Sequence, residues 1–274
     1  HLKNYTGAKY NLAVNSGSSA LYLAFISAGL KKNDIVIIPS YTFAATANSI
    51  YHAGGKPWFF DIDKKTFCID IDQIEQTLKN KTYQFKNNCY LKENKQRIFG
   101  ITPVFTFGLL PNLKKLKQIS KKYNLKIISD AACALGSKFK NKNHTNFTDI
   151  SIFSLNGNKS VTAGGGGIIS TNNKKTFLKA KSLSTNCKLK DYNYDDIGFN
   201  LRMTNLHASI ALAQLKRFKF FYYNKKRISR IYEKKLSNYE FLPKNSWCKN
   251  MLWFNTIILK SKSHLNRLIK TLNN

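Results

Sequence analysis

A single lysine, Lys159, lies in a turn between two apolar, β-branched runs. The segment from Asp149 to Thr171 reads DISIFSLNGNKSVTAGGGGIIST, which predicts a strand, a polar turn with the lysine, a glycine loop and a second strand. Burial disfavours the charged form of lysine, so a lysine held between buried strands typically serves as a nucleophile, for instance as a Schiff base. An ordinary surface lysine at a turn gives the same local pattern, and this segment alone leaves both interpretations open.

Other segments offer groups that complement such a lysine. The small residues NSGSSA at 15–20 precede a run with helical spacing, which leaves the first N–H groups of a helix available to an anion. A plain serine N-cap produces the same pattern. Phe43 follows one apolar strand and Asp130 ends another, although an aromatic core residue and a helix-capping aspartate are equally ordinary interpretations of these two.

Strands alternate with helices along the first two thirds of the chain. DIVIIPS (34–40), KPWFFDID (56–63), RIFGITPVFTFG (97–108) and KIISDAACALGS (126–137) are predicted to contain strands separated by amphipathic helices. This rhythm predicts an α/β fold with a largely parallel sheet covered on both faces, in which ligands bind at the carboxyl ends of the strands. Ser40–Phe43, Asp130 and Ser154–Lys159 are therefore expected to converge.

The remaining segments are expected to be peripheral. The lysine- and asparagine-rich stretch 79–97 is predicted to be a surface excursion, and 205–235 a single long amphipathic helix. WFNTIILK (253–260) is expected to begin a strand of a second region. Because the chain starts at His1 and ends within an apolar-periodic run, we expect it to be part of a longer protein.

Composition limits the classes of function. The 45 lysines and arginines against 14 acidic residues give a net charge of +31, which suggests nucleic-acid binding as an alternative. The basic residues are scattered, without an arginine-rich arm or an aromatic RNA-binding signature, so no specific nucleic-acid partner is expected. Five dispersed cysteines predict a reducing, cytoplasmic setting, the isolated histidines predict no metal site, and no apolar run predicts membrane insertion.

Together these groups match the needs of pyridoxal 5′-phosphate (PLP). Its phosphate requires backbone N–H and hydroxyl donors, and its ring a flat stacking partner. Its pyridine nitrogen requires a carboxylate, and its aldehyde a lysine.

Several blocks resemble the DegT/DnrJ/EryC1/StrS family of PLP-dependent sugar aminotransferases, which have fold type I (the aspartate aminotransferase fold). These blocks are TGAKYNLAVNSGSSALYLA, DIVIIPSYTFAATANSIYHAGGKPWFFDID, PVFTFGLLPNLKKLKQISKKYNLKIISDAACALGS, FSLNGNKSVTAGGGG and GFNLRMTNLHASIALAQL. The resemblance implies a mainly parallel seven-stranded sheet in a large PLP-binding domain, residues 1–204. Residues 205–274 would form a linking helix and the start of a small α+β domain, completed beyond Asn274, with a further segment before His1.

The resemblance also implies roles for individual residues. Lys159 would be the Schiff-base lysine and the general acid/base, and Asp130 would pair with the pyridine nitrogen. The remaining positions would contact the cofactor through stacking, phosphate binding or the neighbouring subunit: Phe43 on the ring face, Ser18, Ser19 and Ser154 at the phosphate, and Asn200 and Arg202 reaching the neighbouring active site. Cys133 stands where many relatives have a glutamine near the ring hydroxyl, which would remove one hydrogen bond.

The implied reaction is a ping-pong transamination within a homodimer with composite active sites. Glutamate would donate an amino group that passes to a nucleotide-linked keto-sugar, as in the biosynthesis of surface-polysaccharide sugars such as O-antigen. The form SLNGNK most resembles the branch that acts on UDP-linked 4-keto-6-deoxy-N-acetylhexosamines in legionaminic-acid-like and bacillosamine-like pathways. Alternatives are a PLP- or PMP-dependent sugar dehydratase of the same family, in which histidine replaces the lysine, and a non-catalytic PLP-binding homologue.

Overall fold

The structure, a computed structural model, describes residues 1–273 of the 274-residue chain. Within that range the helices are α1 (Leu2–Thr6), α2 (Gly17–Ala28), α3 (Ala44–His52), α4 (Ile71–Lys81), α5 (Leu113–Tyr123), α6 (Lys174–Leu183), α7 (Asn205–Lys216), α8 (Phe218–Lys235) and α9 (Lys262–Asn273). The first strands are β1 (Tyr10–Val14), β2 (Ile35–Pro39), β3 (Lys56–Phe60), β4 (Ile62–Asp63), β5 (Cys68–Ile69), β6 (Thr82–Phe85), β7 (Asn88–Leu91) and β8 (Arg97–Ile101). The others are β9 (Lys126–Asp130), β10 (Lys138–Phe139), β11 (Lys142–Asn143), β12 (Ile150–Ser154), β13 (Gly167–Thr171), β14 (Glu240–Phe241), β15 (Cys248–Lys249) and β16 (Ile257–Ile258).

The central sheet has the strand order β1-β13-β12-β9-β8-β2-β3. Strands β12, β9, β8, β2 and β3 pair in parallel, whereas β13 is antiparallel to both of its neighbours. Seven strands form this path, and the β6–β7 hairpin adds two more through β8. The mainly parallel sheet expected for fold type I is therefore confirmed.

Both faces of the parallel strands are covered by helices, as the alternating spacing predicts. All five residues of β2 are buried. Val36 and Ile38 join an apolar cluster with side chains of α2 and α6, and Ile37 joins a second cluster with side chains of α4 and α5. Burial on both faces explains why these strands read as continuous apolar runs.

One expectation about the peripheral segments was wrong, because 205–235 forms two helices instead of one. The surface stretch 79–97 contains β6 and β7, and their hairpin joins the central sheet. The lysines of 79–97 lie outside these two strands, and strands of only four residues give little periodicity to recognise. The strand expected within 253–260 is β16, which has two residues and pairs with β14.

The break between α7 and α8 lies at Arg217, whose φ of −96° and ψ of 9° leave the helical region. The Phe218 ring lies 4.8 Å from the Tyr5 ring, and its tip lies against Gly136. This packing against two distant segments accounts for the change in direction, because tertiary contacts override helix propensity.

His144 lies in the core beneath the sheet and is expected to make folding acid-sensitive. It is 2% exposed, packs between Phe105 and Phe153, and has its Nδ1 3.4 Å from Ser151 Oγ. Burial lowers its pKa to about 3. Because the unfolded chain binds a proton below about pH 6.5 and the folded chain does not, stability should fall as pH drops from there toward 3.

The expected slope from this single group approaches about 1.4 kcal/mol per pH unit within that window. His144→Phe removes the titrating group while retaining an aromatic ring. Urea unfolding at several pH values should give a flatter stability profile for the variant. Parallel profiles for the two proteins would contradict this assignment.

Candidate functional site

A cavity of about 570 Å³ opens at the carboxyl ends of the parallel strands. The strands β1, β2, β9 and β12 each end at a residue that leads into its wall. Six residues predicted from the sequence line this one cavity: Ser18, Phe43, Asp130, Cys133, Ser154 and Lys159. The expected convergence at the strand ends is thus present, whereas the chemical role of each residue stays a prediction.

Asp130 ends β9 and provides a buried carboxylate at the floor of the cavity. Its Oδ2 accepts a hydrogen bond from Thr46 Oγ1 at 2.7 Å, and its Oδ1 accepts one from the Ala132 N–H at 3.1 Å. Burial raises the pKa of Asp130, while these two hydrogen bonds and the positive charge of Lys159 lower it. A buried carboxyl group of this kind is suited to bind a protonated ring nitrogen, whose positive charge would stabilise the carboxylate further.

Lys159 lies in the turn after β12 with its amine directed at the cavity wall. Its Nζ is 3.4 Å from Cys133 Sγ, and its own N–H donates to the Asn156 carbonyl at 3.0 Å. Burial raises the pKa of the Cys133 thiol to about 11, although the nearby Lys159 charge opposes this shift. The thiol is therefore a protonated, weakly polar neighbour of the amine at neutral pH.

The start of α2 forms the opposite wall. Ser16 caps the helix, since its Oγ accepts a hydrogen bond from the Ser19 N–H at 3.0 Å. The N–H groups of Gly17 and Ser18 have no carbonyl acceptor within the helix. A Cβ at Gly17 would lie 3.1 Å from Ser154 Cβ, so glycine leaves the backbone open beside that hydroxyl. An anion placed here would meet N–H groups and hydroxyls together.

The same loop is packed tightly against the strand that follows the lysine turn. A Cβ built at Gly167 would lie 2.2 Å from the Ser16 carbonyl oxygen, a distance at which backbone would have to move. Ser16 and Gly166 also form an isolated β-bridge. The loop at the start of α2 and the lysine turn are thus held against each other through backbone.

Aromatic rings surround the mouth of the cavity. Phe43 lies at the N-terminus of α3 and is 80% exposed, which excludes the interpretation that it is a core residue. Tyr41, Phe107 and Trp253 also line the cavity. An exposed ring beside a buried carboxylate is arranged to stack on a planar ligand.

Three predicted residues lie outside this cavity. Ser19 lines an adjoining depression, and both its N–H and its hydroxyl are hydrogen-bonded to Ser16 Oγ, at 3.0 and 2.9 Å. Asn200 and Arg202 line a third depression next to Thr185 and Lys188. Backbone pairing nevertheless ties this segment to the main site, because the Leu201 carbonyl accepts the N–H of Asn15 at 2.9 Å.

Sequence reasoning missed Thr46, Phe107 and Trp253. Thr46 lies one helical turn after Phe43, and that spacing could have indicated a second residue on the same face. Phe107 has a φ of 53°, which no sequence pattern foretells for a non-glycine residue. Trp253 is 94 positions from Lys159, and only the folded chain brings the two together.

The cavity offers a ligand several kinds of chemical group. Among the described residues, no three His, Cys, Asp or Glu side chains come together in a metal-binding cluster. None of the helices described in the structure is long and apolar enough to cross a membrane. The cavity instead combines an amine, a carboxylate, an anion-binding helix start and exposed aromatic rings.

Comparison with known proteins gives the same family along the whole chain. The model of the DegT/DnrJ/EryC1/StrS aminotransferase family matches residues 1–274. The chain is 35% identical over 235 residues to the GDP-perosamine synthase of Escherichia coli O157:H7, covering 84% of this chain and 59% of that protein.

It is also 32% identical over 237 residues to the UDP-4-amino-4,6-dideoxy-N-acetyl-beta-L-altrosamine transaminase of Campylobacter jejuni, covering 85% of this chain and 59% of that protein. Among solved structures, NtdA of Bacillus subtilis with bound cofactor PMP superimposes with a TM-score of 0.82 and 26% identity, covering 98% of this chain and 59% of that one. The chain thus spans about three fifths of the length of these relatives.

Proposed function

Because the chain belongs to the DegT/DnrJ/EryC1/StrS aminotransferase family, we propose that it is a PLP-dependent aminotransferase for a nucleotide-linked keto-sugar, with glutamate as amino donor. The observation that carries the proposal is the meeting of Lys159, Asp130, Phe43 and the start of α2 around one cavity. Bound there, PLP would supply an electron sink for moving an amino group between two carbon skeletons.

The residues present fit this cofactor. The N–H groups of Gly17 and Ser18, with the hydroxyls of Ser18 and Ser154, form a site for its phosphate. Burial raises the pKa of the Asp130 carboxyl, and a protonated pyridine nitrogen beside it would favour the charged form. The exposed face of Phe43 offers a stacking surface for the ring.

The side chains of the site have separate tasks in the reaction. Lys159 Nζ would bind the cofactor covalently and, once released, carry a proton between the two carbons that exchange oxidation state. Asp130, kept in place by Thr46 and the Ala132 N–H, would hold the ring nitrogen protonated. Cys133 contacts Nζ and cannot make the hydrogen bond that a glutamine amide would give.

For the acceptor we propose a UDP-linked 4-keto-6-deoxy-N-acetylhexosamine. The SLNGNK turn supports this substrate, and the similarity to an altrosamine transaminase agrees with it. The similarity to a GDP-perosamine synthase supports a GDP-linked 4-keto-6-deoxyhexose instead. The net charge of +31 favours capture of either nucleotide, because each carries an anionic diphosphate.

We also propose a homodimer in which Asn200 and Arg202 serve the neighbouring active site. Their positions outside the cavity of their own chain support this arrangement. Three side chains of the segment near Arg202 expose large apolar surfaces: Tyr192 at 78%, Ile197 at 84% and Leu206 at 72%. Large apolar side chains exposed within one segment support an interface there.

The test of the proposed activity is an absorption spectrum of the protein with added PLP, before and after glutamate. A band from lysine-bound PLP that glutamate converts to the pyridoxamine phosphate spectrum is the expected result. Addition of UDP- or GDP-linked 4-keto-sugar should then restore the first spectrum, and the faster sugar identifies the substrate. Absence of any lysine-bound band would contradict the proposal.

The composite site has its own test. Lys159→Ala and Arg202→Ala chains should each be inactive alone. Mixing the two after mild dissociation should restore part of the activity, because one site of the mixed dimer then has both residues. No recovery in a confirmed mixed dimer would contradict the shared site.

A further inference from the structure

Trp253 is fixed at both ends above the lysine turn. It lies between β15 and β16, and its indole Nε1–H donates to the Asn158 carbonyl at 2.8 Å. Its own carbonyl accepts a hydrogen bond from Lys225 Nζ of α8 at 3.1 Å. Two hydrogen bonds to separate parts of the chain therefore set the orientation of the indole.

The indole face is directed at the reactive amine. Lys159 Nζ lies 3.9 Å from the centre of the Trp253 ring. Phe254 stacks on the same ring at 3.9 Å between centroids, and Phe107 lies 6.3 Å away at an interplanar angle of 29°. Phe107 keeps the left-handed backbone conformation described above, and such strained positions concentrate at functional sites.

This geometry limits where an acceptor can lie. A group that transfers a proton to or from a substrate carbon must approach it to within about 3 Å. Since Lys159 Nζ is 3.9 Å from the ring centre, an atom that reacts at Nζ lies no more than about 7 Å from that centre, and the rest of its molecule can pack on the indole. The Lys159 amine and the face of the Trp253 indole are thus neighbours in the folded chain.

Resting on the proposed function, we propose that Trp253 is a specificity-determining residue against which the acceptor sugar ring packs. The flat indole complements the apolar C–H face of a pyranose, whereas an open-chain amino acid has no comparable face to bury. Trp253 therefore favours cyclic acceptors and contributes little to the reaction with glutamate. The substrate class that it selects is a hexose in its ring form.

Trp253→Leu and Trp253→Phe separate this role from a structural one. In the leucine variant we expect kcat/KM for the UDP-linked 4-keto-sugar to fall by about 3- to 10-fold, the scale of a lost aromatic contact. Conversion of bound PLP by glutamate alone should stay within about twofold. The phenylalanine variant should recover most of the loss, because it retains a ring but not the indole N–H.

Binding gives a readout that does not depend on turnover. Titration calorimetry should show weaker binding of UDP-N-acetylglucosamine by the leucine variant and unchanged binding of UDP, which lacks the hexose. Trp247→Leu is the matched control, because Trp247 Nε1 also donates to a backbone carbonyl, that of Leu110 at 3.0 Å, but Trp247 does not line the cavity.

The inference would be overturned if Trp253→Leu slowed both half-reactions equally, since the indole would then act on the lysine or the fold. Equal weakening of UDP and UDP-N-acetylglucosamine binding, or no change in either half-reaction, would overturn it as well. Failure of the proposed function is distinguishable, because the wild-type protein would then show neither half-reaction.

Discussion

Replacement of Lys159 by alanine is expected to abolish covalent binding of PLP and to reduce transamination by about 10²- to 10⁴-fold, the range for loss of a general acid/base. The variant lacks the only amine among the residues that line the cavity. Borohydride reduction of the PLP-loaded protein, followed by peptide mass spectrometry, should place the pyridoxyl group on Lys159 in the wild type. The variant should show no such adduct.

Lys174→Ala is the appropriate control for that experiment. Lys174 is exposed at the start of α6 and does not line the cavity. Its removal changes the net charge by the same amount and should leave the adduct unchanged. A pyridoxyl group on Lys159 and on many surface lysines alike would show non-specific modification and contradict the assignment.

Asp130→Asn is expected to lower the transamination rate on the order of 10²-fold, the scale for loss of one preorganised electrostatic partner. The amide can retain hydrogen bonds with Thr46 and the Ala132 N–H, but it cannot keep a ring nitrogen protonated. PLP should still attach to Lys159, so the borohydride adduct persists while the glutamate half-reaction slows. Loss of the adduct together with activity would indicate that Asp130 is needed for binding or folding instead.

Asp130→Asn should also change how the free energy of unfolding depends on pH. Because burial raises the pKa of Asp130, the folded chain holds this proton at pH values where the unfolded chain has lost it. Stability conferred by the carboxyl therefore falls as pH rises above about 3.9, the usual value for aspartate. Relative to wild type, Asp130→Asn without cofactor should gain stability between acid and neutral pH, as urea unfolding would measure.

The parts of the site that lie on regular elements could be predicted from the sequence. Asp130 and Ser154 each end a buried strand, and Lys159 follows Ser154 by five positions. The alternation of strands and helices in the sequence predicts a parallel sheet, and the common edge of its strand ends predicts that these three residues lie close together. Phe43 was ambiguous in the sequence, because a core aromatic and a rim aromatic have the same neighbours. Its 80% exposure resolves that ambiguity.

What could not be predicted depends on long-range packing. The break at Arg217 arises from contacts of Phe218 with Tyr5 and Gly136, which are far away in the chain. Trp253 reaches the lysine turn from an irregular segment, and irregular segments have no periodicity to interpret. The Ser19 N–H donates to the Ser16 hydroxyl, which caps α2. The sequence contains several serines at this helix start, and their spacing alone does not show which one is the cap.

The close approach of Gly167 to the Ser16 carbonyl oxygen has a consequence for how this protein can evolve. With no room for even a methyl group at that contact, position 167 accepts almost no variation, and a library at Gly167 should yield few folded proteins. Gly157, in the turn before the lysine, has no neighbour within 4 Å of an added Cβ and should tolerate many residues. Sequence change around the lysine turn is therefore expected to accumulate at Gly157 and to be rare at Gly167.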